Sequence, residues 1–278
     1  MYSEYDLSLI DFMMGKCLSM CSSKSSINTT KSISQSVESA QTVDVNEATE
    51  KKTKSYPPSL KDVDIPRTYA LKDDYDESKI QTLFERYKDE SEDSILVSGM
   101  ERLCQDLGVN PTEFSVLALA WKFKASKMCR FTRKEFVEGC RLLKVDNLNA
   151  MKYSMADMEK EVRQRREDFR ELYRFTFGFG LDVEDGQRNL PTNMAIPLWR
   201  LVFGDDAPTY MDKWCQYLED NGVKVIPRDT WNMFLHLVES MKPDFSNYDE
   251  SEAWPSLFDD FVEAHRTNMP NIDGTTPD

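Results

Sequence analysis

The sequence predicts an all-α protein, and three observations carry that prediction. From Tyr75 onward, apolar residues recur at three- and four-residue intervals, the spacing of one helix face. Capping residues stand ahead of those runs, and glycine or proline punctuates them. Strand-like alternation is nearly absent.

Asp76 is placed as the N-cap of a first helix whose apolar face is Ile80, Leu83, Phe84 and Tyr87. A second helix carries Val97, Met100, Leu103, Cys104 and Leu107 and stops at Gly108. Asn110-Pro111, a cap followed by proline at the first helical position, opens a very apolar helix through Phe114, Val116, Leu117, Leu119, Trp121 and Phe123. Thr132-Arg133-Lys134-Glu135 reads as a capping box and starts the helix of Phe136, Val137, Cys140 and Leu143. A charged amphipathic segment over 154–181 follows, with Phe169, Leu172, Tyr173, Phe175, Phe177 and Phe179 in its second half. The last helices centre on Trp199, Trp214, Trp231 and Trp254, with Pro191, Pro208, Pro227 and Pro255 at their starts. Pro197 falls inside the helix read over 194–203 and is expected to kink it or move its start.

The ordered domain is thus placed at 75–266. Residues 1–74 read as a disordered arm, because 22–72 is rich in Ser, Thr, Lys and Val with almost no aromatics and cannot offset its ordering entropy. Residues 267–278 read as a disordered tail. The net charge of −14 argues against nucleic acid, whose phosphates need a basic face, and suits basic protein partners. No run of about 18 apolar residues spans a membrane, and Glu4, Asp6 and Asp11 stand where a secretory signal needs a basic segment. Cys17, Cys21, Cys104, Cys129, Cys140 and Cys215 form no CxxC pair and read as reduced thiols.

Two helix–loop–helix units fit a calcium-binding hand in part. A calcium loop needs oxygen ligands at positions 1, 3 and 5, glycine at 6, an apolar residue at 8 and a bidentate Glu at 12. Counted from Asp89, the first loop offers Asp89, Ser91, Asp93 and Leu96, but has Ser94 at position 6 and Met100 at position 12. Counted from Lys124, the second keeps Phe131 and Glu135, but has Lys124, Ser126 and Met128 at 1, 3 and 5. The expectation is an N-terminal half built as a degenerate EF-hand-like pair, with Leu96 and Phe131 meeting between the loops and no ion bound, and a helical C-terminal half.

Enzymatic constellations are missing. His236 and His265 are the two histidines, no Cys–His signature is present, and no glycine-rich phosphate loop or zinc spacing occurs, so neither a catalytic residue nor a cofactor is expected. One acidic stretch stands out. Asp244, Asp249, Glu250, Glu252, Asp259, Asp260 and Glu263 are interleaved with Phe245, Tyr248, Trp254, Leu257, Phe258 and Phe261, with no Lys or Arg between them. It reads either as a solvated last helix or as an acidic rim around an apolar anchor site.

Several blocks in that region resemble the defective-in-cullin-neddylation family. They are Asp229-Thr230-Trp231-Asn232, Ser246-Asn247-Tyr248-Asp249-Glu250, Ala253-Trp254-Pro255 and Asp259-Asp260-Phe261-Val262-Glu263. Ser115-Val116-Leu117, Ala120-Trp121-Lys122-Phe123 and Phe175-Thr176-Phe177 agree as well. The resemblance implies a potentiating-neddylation domain over 75–266: a non-enzymatic co-ligase that promotes transfer of the ubiquitin-like modifier Nedd to cullins without a covalent intermediate. It implies three partners: the cullin C-terminal winged-helix subdomain, the N-terminally acetylated Nedd-conjugating enzyme and the cullin-associated RING protein. The cullin contact would fall on Asp229, Ala253 and Asp259, with Asp229 also at an expected helix N-cap. A pocket for the acetylated methionine would fall on Val97, Met100, Leu103, Val116, Leu117, Leu119, Met128, Cys129, Phe131, Phe179 and Leu201.

Met14-Gly15-Lys16-Cys17-Leu18-Ser19 fits a myristoylation pattern if translation starts at Met14, and resembles the start of the family's lipid-anchored subgroup. Gly15 would carry the myristate, and Cys17 and Cys21 would be palmitoylation sites. The expected location is cytoplasm and nucleus, with the plasma membrane added if Gly15 is lipidated. Two other classes stay open on the residues alone. One is an EF-hand-like adaptor of another pathway; the other is a cysteine-dependent transferase.

Overall fold

A computed structural model describes residues 75–183 and 186–267. Gly15, Cys17 and Cys21, the arm over 1–74 and the tail beyond Thr267 lie outside the described residues. Those residues form ten α-helices and four two-residue strands, so the all-α prediction holds.

The first helices begin where their caps stand. The Asp76 carboxylate accepts from the Ser78 backbone N–H and opens α1 (Glu77–Tyr87), whose Ile80, Leu83, Phe84 and Tyr87 are buried. A two-residue strand β1 (Ser94–Ile95) leads into α2 (Val97–Leu107), which Gly108 ends in the left-handed conformation at φ 70°. Next come α3 (Phe114–Lys122), strand β2 (Phe131–Thr132) and α4 (Arg133–Leu143), with both halves of the Thr132–Glu135 capping box formed. β1 and β2 pair antiparallel, Ser94 with Thr132 and Ile95 with Phe131. The residue opposite Phe131 is therefore Ile95, fully buried, and not Leu96 as expected. Leu96 instead occupies the N-cap position of α2. The rings of Phe123, Phe131 and Phe136 close this half, with Phe123 and Phe131 centroids 5.3 Å apart. Gly139 makes that possible, since a Cβ there would sit 2.1 Å from the Phe123 ring.

A second, unforeseen pair of helix–strand–helix units follows. Strand β3 (Leu190–Pro191) separates α6 (Arg166–Phe179) from α7 (Thr192–Phe203), and strand β4 (Val225–Ile226) separates α8 (Met211–Asp220) from α9 (Arg228–Ser240). β3 and β4 pair antiparallel, Leu190 with Ile226. Helix α5 (Leu148–Gln164) packs against both α3 and α6, and so joins the two halves. The final helix, α10 (Ser256–Thr267), lies on α8.

Several boundaries differ from the sequence reading. Asn110 caps a separate turn, accepting from the Thr112 N–H at 3.0 Å, while Glu113 accepts the Asn110 N–H at 2.8 Å. That exchange postpones α3 to Phe114. The segment over 154–181 is two helices: Asn147 caps α5, and an extended Arg165 (φ −100°, ψ 105°) breaks the chain before α6. Pro197 is accommodated inside α7 without moving its start. The carbonyl it leaves unbonded belongs to the exposed Asn193, within reach of water. Pro227, not Asp229, holds the N-cap of α9, and Trp254 precedes α10 rather than centring it. Cys104, Cys140 and Cys215 are buried free thiols, but Cys129 is disulfide-bonded, against the reading of six reduced thiols.

The core of the C-terminal half is an aromatic lock. The Tyr173 hydroxyl on α6 donates to the Trp231 carbonyl on α9 at 2.7 Å and accepts from Trp199 Nε1 on α7 at 2.8 Å. Trp231 Nε1 returns a bond to the Tyr173 carbonyl at 3.0 Å. The Trp199 and Trp231 rings stack at 5.0 Å, tilted by 9°. Each polar atom named here is buried and paired, so the lock fixes three helices with no desolvation left uncompensated.

Candidate functional site: an apolar groove and a polar face

A groove opens where the two halves meet, with about 590 Å³ of empty space reaching solvent. Met100 comes from α2, Val116 and Leu117 from α3, Met128 and Cys129 from the loop ahead of β2, and Phe131 from β2 itself. Phe179 closes α6, and Leu201 arrives from α7. These eight of the eleven expected residues line one space. Val97, Leu103 and Leu119 do not. They are at most 8% exposed and lie outside its lining. Cys104, Pro111, Ala120 and Leu198 complete the apolar lining, with Glu101, Lys127 and Arg130 as its charged residues. The mouth is half-buried Met100, Met128, Cys129 and Phe179, with Phe179 stacked on Phe175 at 5.1 Å. Flexible methionines and flat rings suit a short apolar group that must be desolvated.

Among the described residues, the groove offers no activated thiol. Burial pushes the Cys104 and Cys140 thiols up to about 12 and Cys215 up to about 11, so each stays protonated at neutral pH. With Cys129 disulfide-bonded, the cysteine-transferase reading loses every cysteine among the described residues.

The two loops that match calcium hands in part are held by side chains. Arg133 donates from Nε and Nη2 to Asp93 (2.6 to 3.0 Å), from Nη2 to Glu85 at 2.6 Å and from Nη1 to Gln81 at 3.0 Å. Its guanidinium also lies 4.4 Å over the Phe84 ring. That cation holds the Asp93 and Glu85 carboxyls below their ordinary values. In the second loop Glu135 accepts the backbone N–H groups of Ser126 and Thr132, both at 2.8 Å. Its two oxygens thus close the loop themselves. Among the described residues, no three His, Cys, Asp or Glu side chains are grouped to hold a metal ion.

The second surface is built on α9, α10 and the turns between them. Asp229 is exposed in the first turn of α9, Ala253 is exposed before α10, and Asp259 is half-buried on α10. The Tyr248 hydroxyl donates to Asp259 Oδ1 at 2.6 Å, and burial together with that carboxylate keeps the phenol protonated. Trp254 is sandwiched between His236 at 5.3 Å and Tyr248 at 5.5 Å. His236 stands two turns after Asp229 on the same face of α9, about 10 Å along the axis. The stack therefore ties Ala253 to the α9 face bearing Asp229. The sequence reading gave His236 no place in this surface. Not every acid is offered outward. Asp244 and Asp249 accept the N–H groups of Ser246 and Ser251, and Glu250 pairs with Arg266 at 3.1 Å.

Residues 150–264 match the family model described as Cullin binding. DCN1-like protein 3 of Xenopus laevis is 47% identical over 239 residues, covering 85% of this chain and 74% of that protein. The chain belongs to the DCN1-like family. Human DCN1-like protein 3 is 54% identical over 187 residues, 66% of this chain and 61% of the relative. The Drosophila melanogaster protein is 44% identical over 190 residues, 68% and 56%. The match thus spans only about three-fifths of the human DCN1-like protein. Family membership gives this chain a part in cullin neddylation, and the matched segment runs from α5 through α10, the half carrying the polar face.

Proposed function

We propose that this protein is a non-catalytic co-ligase that holds a cullin and a Nedd-conjugating enzyme at once and so speeds transfer of the modifier to a cullin lysine. The groove takes the N-terminally acetylated methionine of the conjugating enzyme, and Asp229, Ala253 and Asp259 take the cullin C-terminal winged-helix subdomain. The cullin-associated RING protein completes the assembly. The carrying observation is that eight residues from five separate stretches of sequence meet in one apolar groove distinct from the acidic face. Acetylation removes an ammonium charge that would be costly to bury there. Holding the two reactants in advance removes translational and rotational freedom from the transfer step.

Reconstituted cullin modification, with and without the full chain, tests the reading. The expected result is acceleration that an acetylated conjugating-enzyme peptide competes away and its free-amine counterpart does not. Equal competition by the two peptides would refute the groove assignment. Membrane attachment through myristate on Gly15, reinforced by acylation at Cys17 or Cys21, belongs to the same proposal and adds the plasma membrane to cytoplasm and nucleus. Intact mass of the native protein tests it, and an unmodified chain starting at Met1 would remove it. Calcium adaptation is disfavoured by Arg133 on Asp93, and binding at micromolar calcium would reverse that judgement.

A further inference from the structure

The cleft between α6 and α9 runs beside the acidic face and carries the opposite charge. Its wall holds Arg170, Arg174, Asn232, His236 and Glu239, and it opens about 660 Å³ of space. Glu239 is saturated: Arg166 and Arg170 both bind it, and they hold its carboxyl down to about 2. Arg174, one turn beyond Arg170, is exposed and has no carboxylate partner among the described residues. Nor has Arg228, whose guanidinium lies 4.9 Å over the Phe177 ring beside that turn. The amide of Asn232 and the ring nitrogens of His236 make no hydrogen bond among the described residues. A chain with a net charge of −14 thus brings one uncompensated guanidinium group, that of Arg174, together with two open polar side chains in this cleft. Asp229 follows Arg228 directly and stands one turn before Asn232, so the cleft continues the proposed docking face.

We propose that this cleft binds a carboxylate of the polypeptide docked on Asp229 and Asp259, with Arg174 supplying the charge and Asn232 and His236 the orientation. The proposal rests on the cullin-docking reading. It gives that surface a polarity: the partner must present a basic group to the aspartates and an acidic group roughly 10 Å further along α9. A guanidinium receives a carboxylate through two parallel hydrogen bonds, so the second contact fixes register as well as affinity.

The test uses the full chain and the cullin C-terminal fragment, with affinity measured at low and high salt. Arg174→Glu is expected to weaken binding by about tenfold or more at low salt, the loss of one charge-assisted bond, and by less at high salt. Arg174→Gln should lose less. Reversing one acidic residue of the fragment to Lys should restore affinity for Arg174→Glu. Asp259→Lys, measured in parallel, reports on the docking reading alone. If Asp259→Lys abolishes binding while Arg174→Glu stays within about twofold of the parent, the carboxylate proposal is overturned and the docking reading survives. If neither variant changes affinity, the docking reading fails and takes the proposal with it. Arg174 is exposed, so unchanged thermal unfolding and unchanged acetyl-peptide binding are expected of its variants.

Discussion

Removing one oxygen from Tyr173 should cost more than its size suggests. Tyr173→Phe keeps the ring stacked on Trp231 at 4.8 Å and deletes a hydroxyl that serves two partners. The Trp231 carbonyl keeps its place in the α9 ladder, so its loss is small. Trp199 Nε1 has no other acceptor among the described residues, and Trp199 is fully buried. Orphaning one buried donor costs about 1–3 kcal/mol, and we take about 2 kcal/mol as the expectation. With a urea dependence of about 2 kcal/mol per molar, the unfolding midpoint should fall by roughly 1 M with the slope unchanged. Urea unfolding followed by tryptophan fluorescence reads this directly. A midpoint within about 0.2 M of the parent would mean that the lock is not worth its geometry and that α6, α7 and α9 are fixed by packing alone.

Met100→Lys puts a charge at the groove mouth. Acetylated-peptide affinity should drop by more than about tenfold, with cullin-fragment binding unchanged, as a two-ligand calorimetry series would show. His265 is buried against Phe245 and Phe261 with Nε2 unpaired, and burial, aided by Lys213, lowers its pKa. Its protonated form therefore favours the unfolded chain. Stability should decline as pH falls below about 6.5, the unfolded value, and His265→Leu should flatten the urea midpoint between pH 5 and 7. Arg133→Ala should lower the thermal midpoint more in dilute buffer than in high salt, because its partners are exposed carboxylates. An equal drop at both salts would assign the loss to the Phe84 contact instead.

The elements legible in the sequence were those with local chemistry. Asp76, Gly108 and the Thr132–Glu135 box each act within four residues of themselves, and each stands where expected. Features set by distant partners were not legible. Ile95 and Leu96 are both apolar neighbours, and only pairing with Phe131 decides which one faces the other loop. Two-residue strands carry no periodicity, so the β3–β4 bridge left no trace. The break at Arg165 has neither glycine nor proline to announce it. The groove was legible as a set of apolar residues but not as a face. Helix α3 is buried from Phe114 through Ala120, and a helix apolar all round does not reveal that Val116, Leu117 and Ala120 line the opening while Leu119 does not. The cleft beside α9 was missed because charged residues spaced along α6 read as an ordinary solvated face.

Helix α6 touches everything at once: Arg174 in the cleft, Tyr173 in the lock, Phe179 at the groove. From Arg170 to Phe179 it advances by about 13 Å, a span that hydrogen bonding makes nearly inextensible. It serves as a ruler between the groove and the cleft. A single residue inserted after Arg174 would lengthen it by only about 1.5 Å but rotate Phe179 by roughly 100°, turning it away from the groove while the cleft kept Arg170 and Arg174. Such a chain would keep one wall of the cleft and lose the ring that closes the groove, so the two sites would no longer share a fixed spacing.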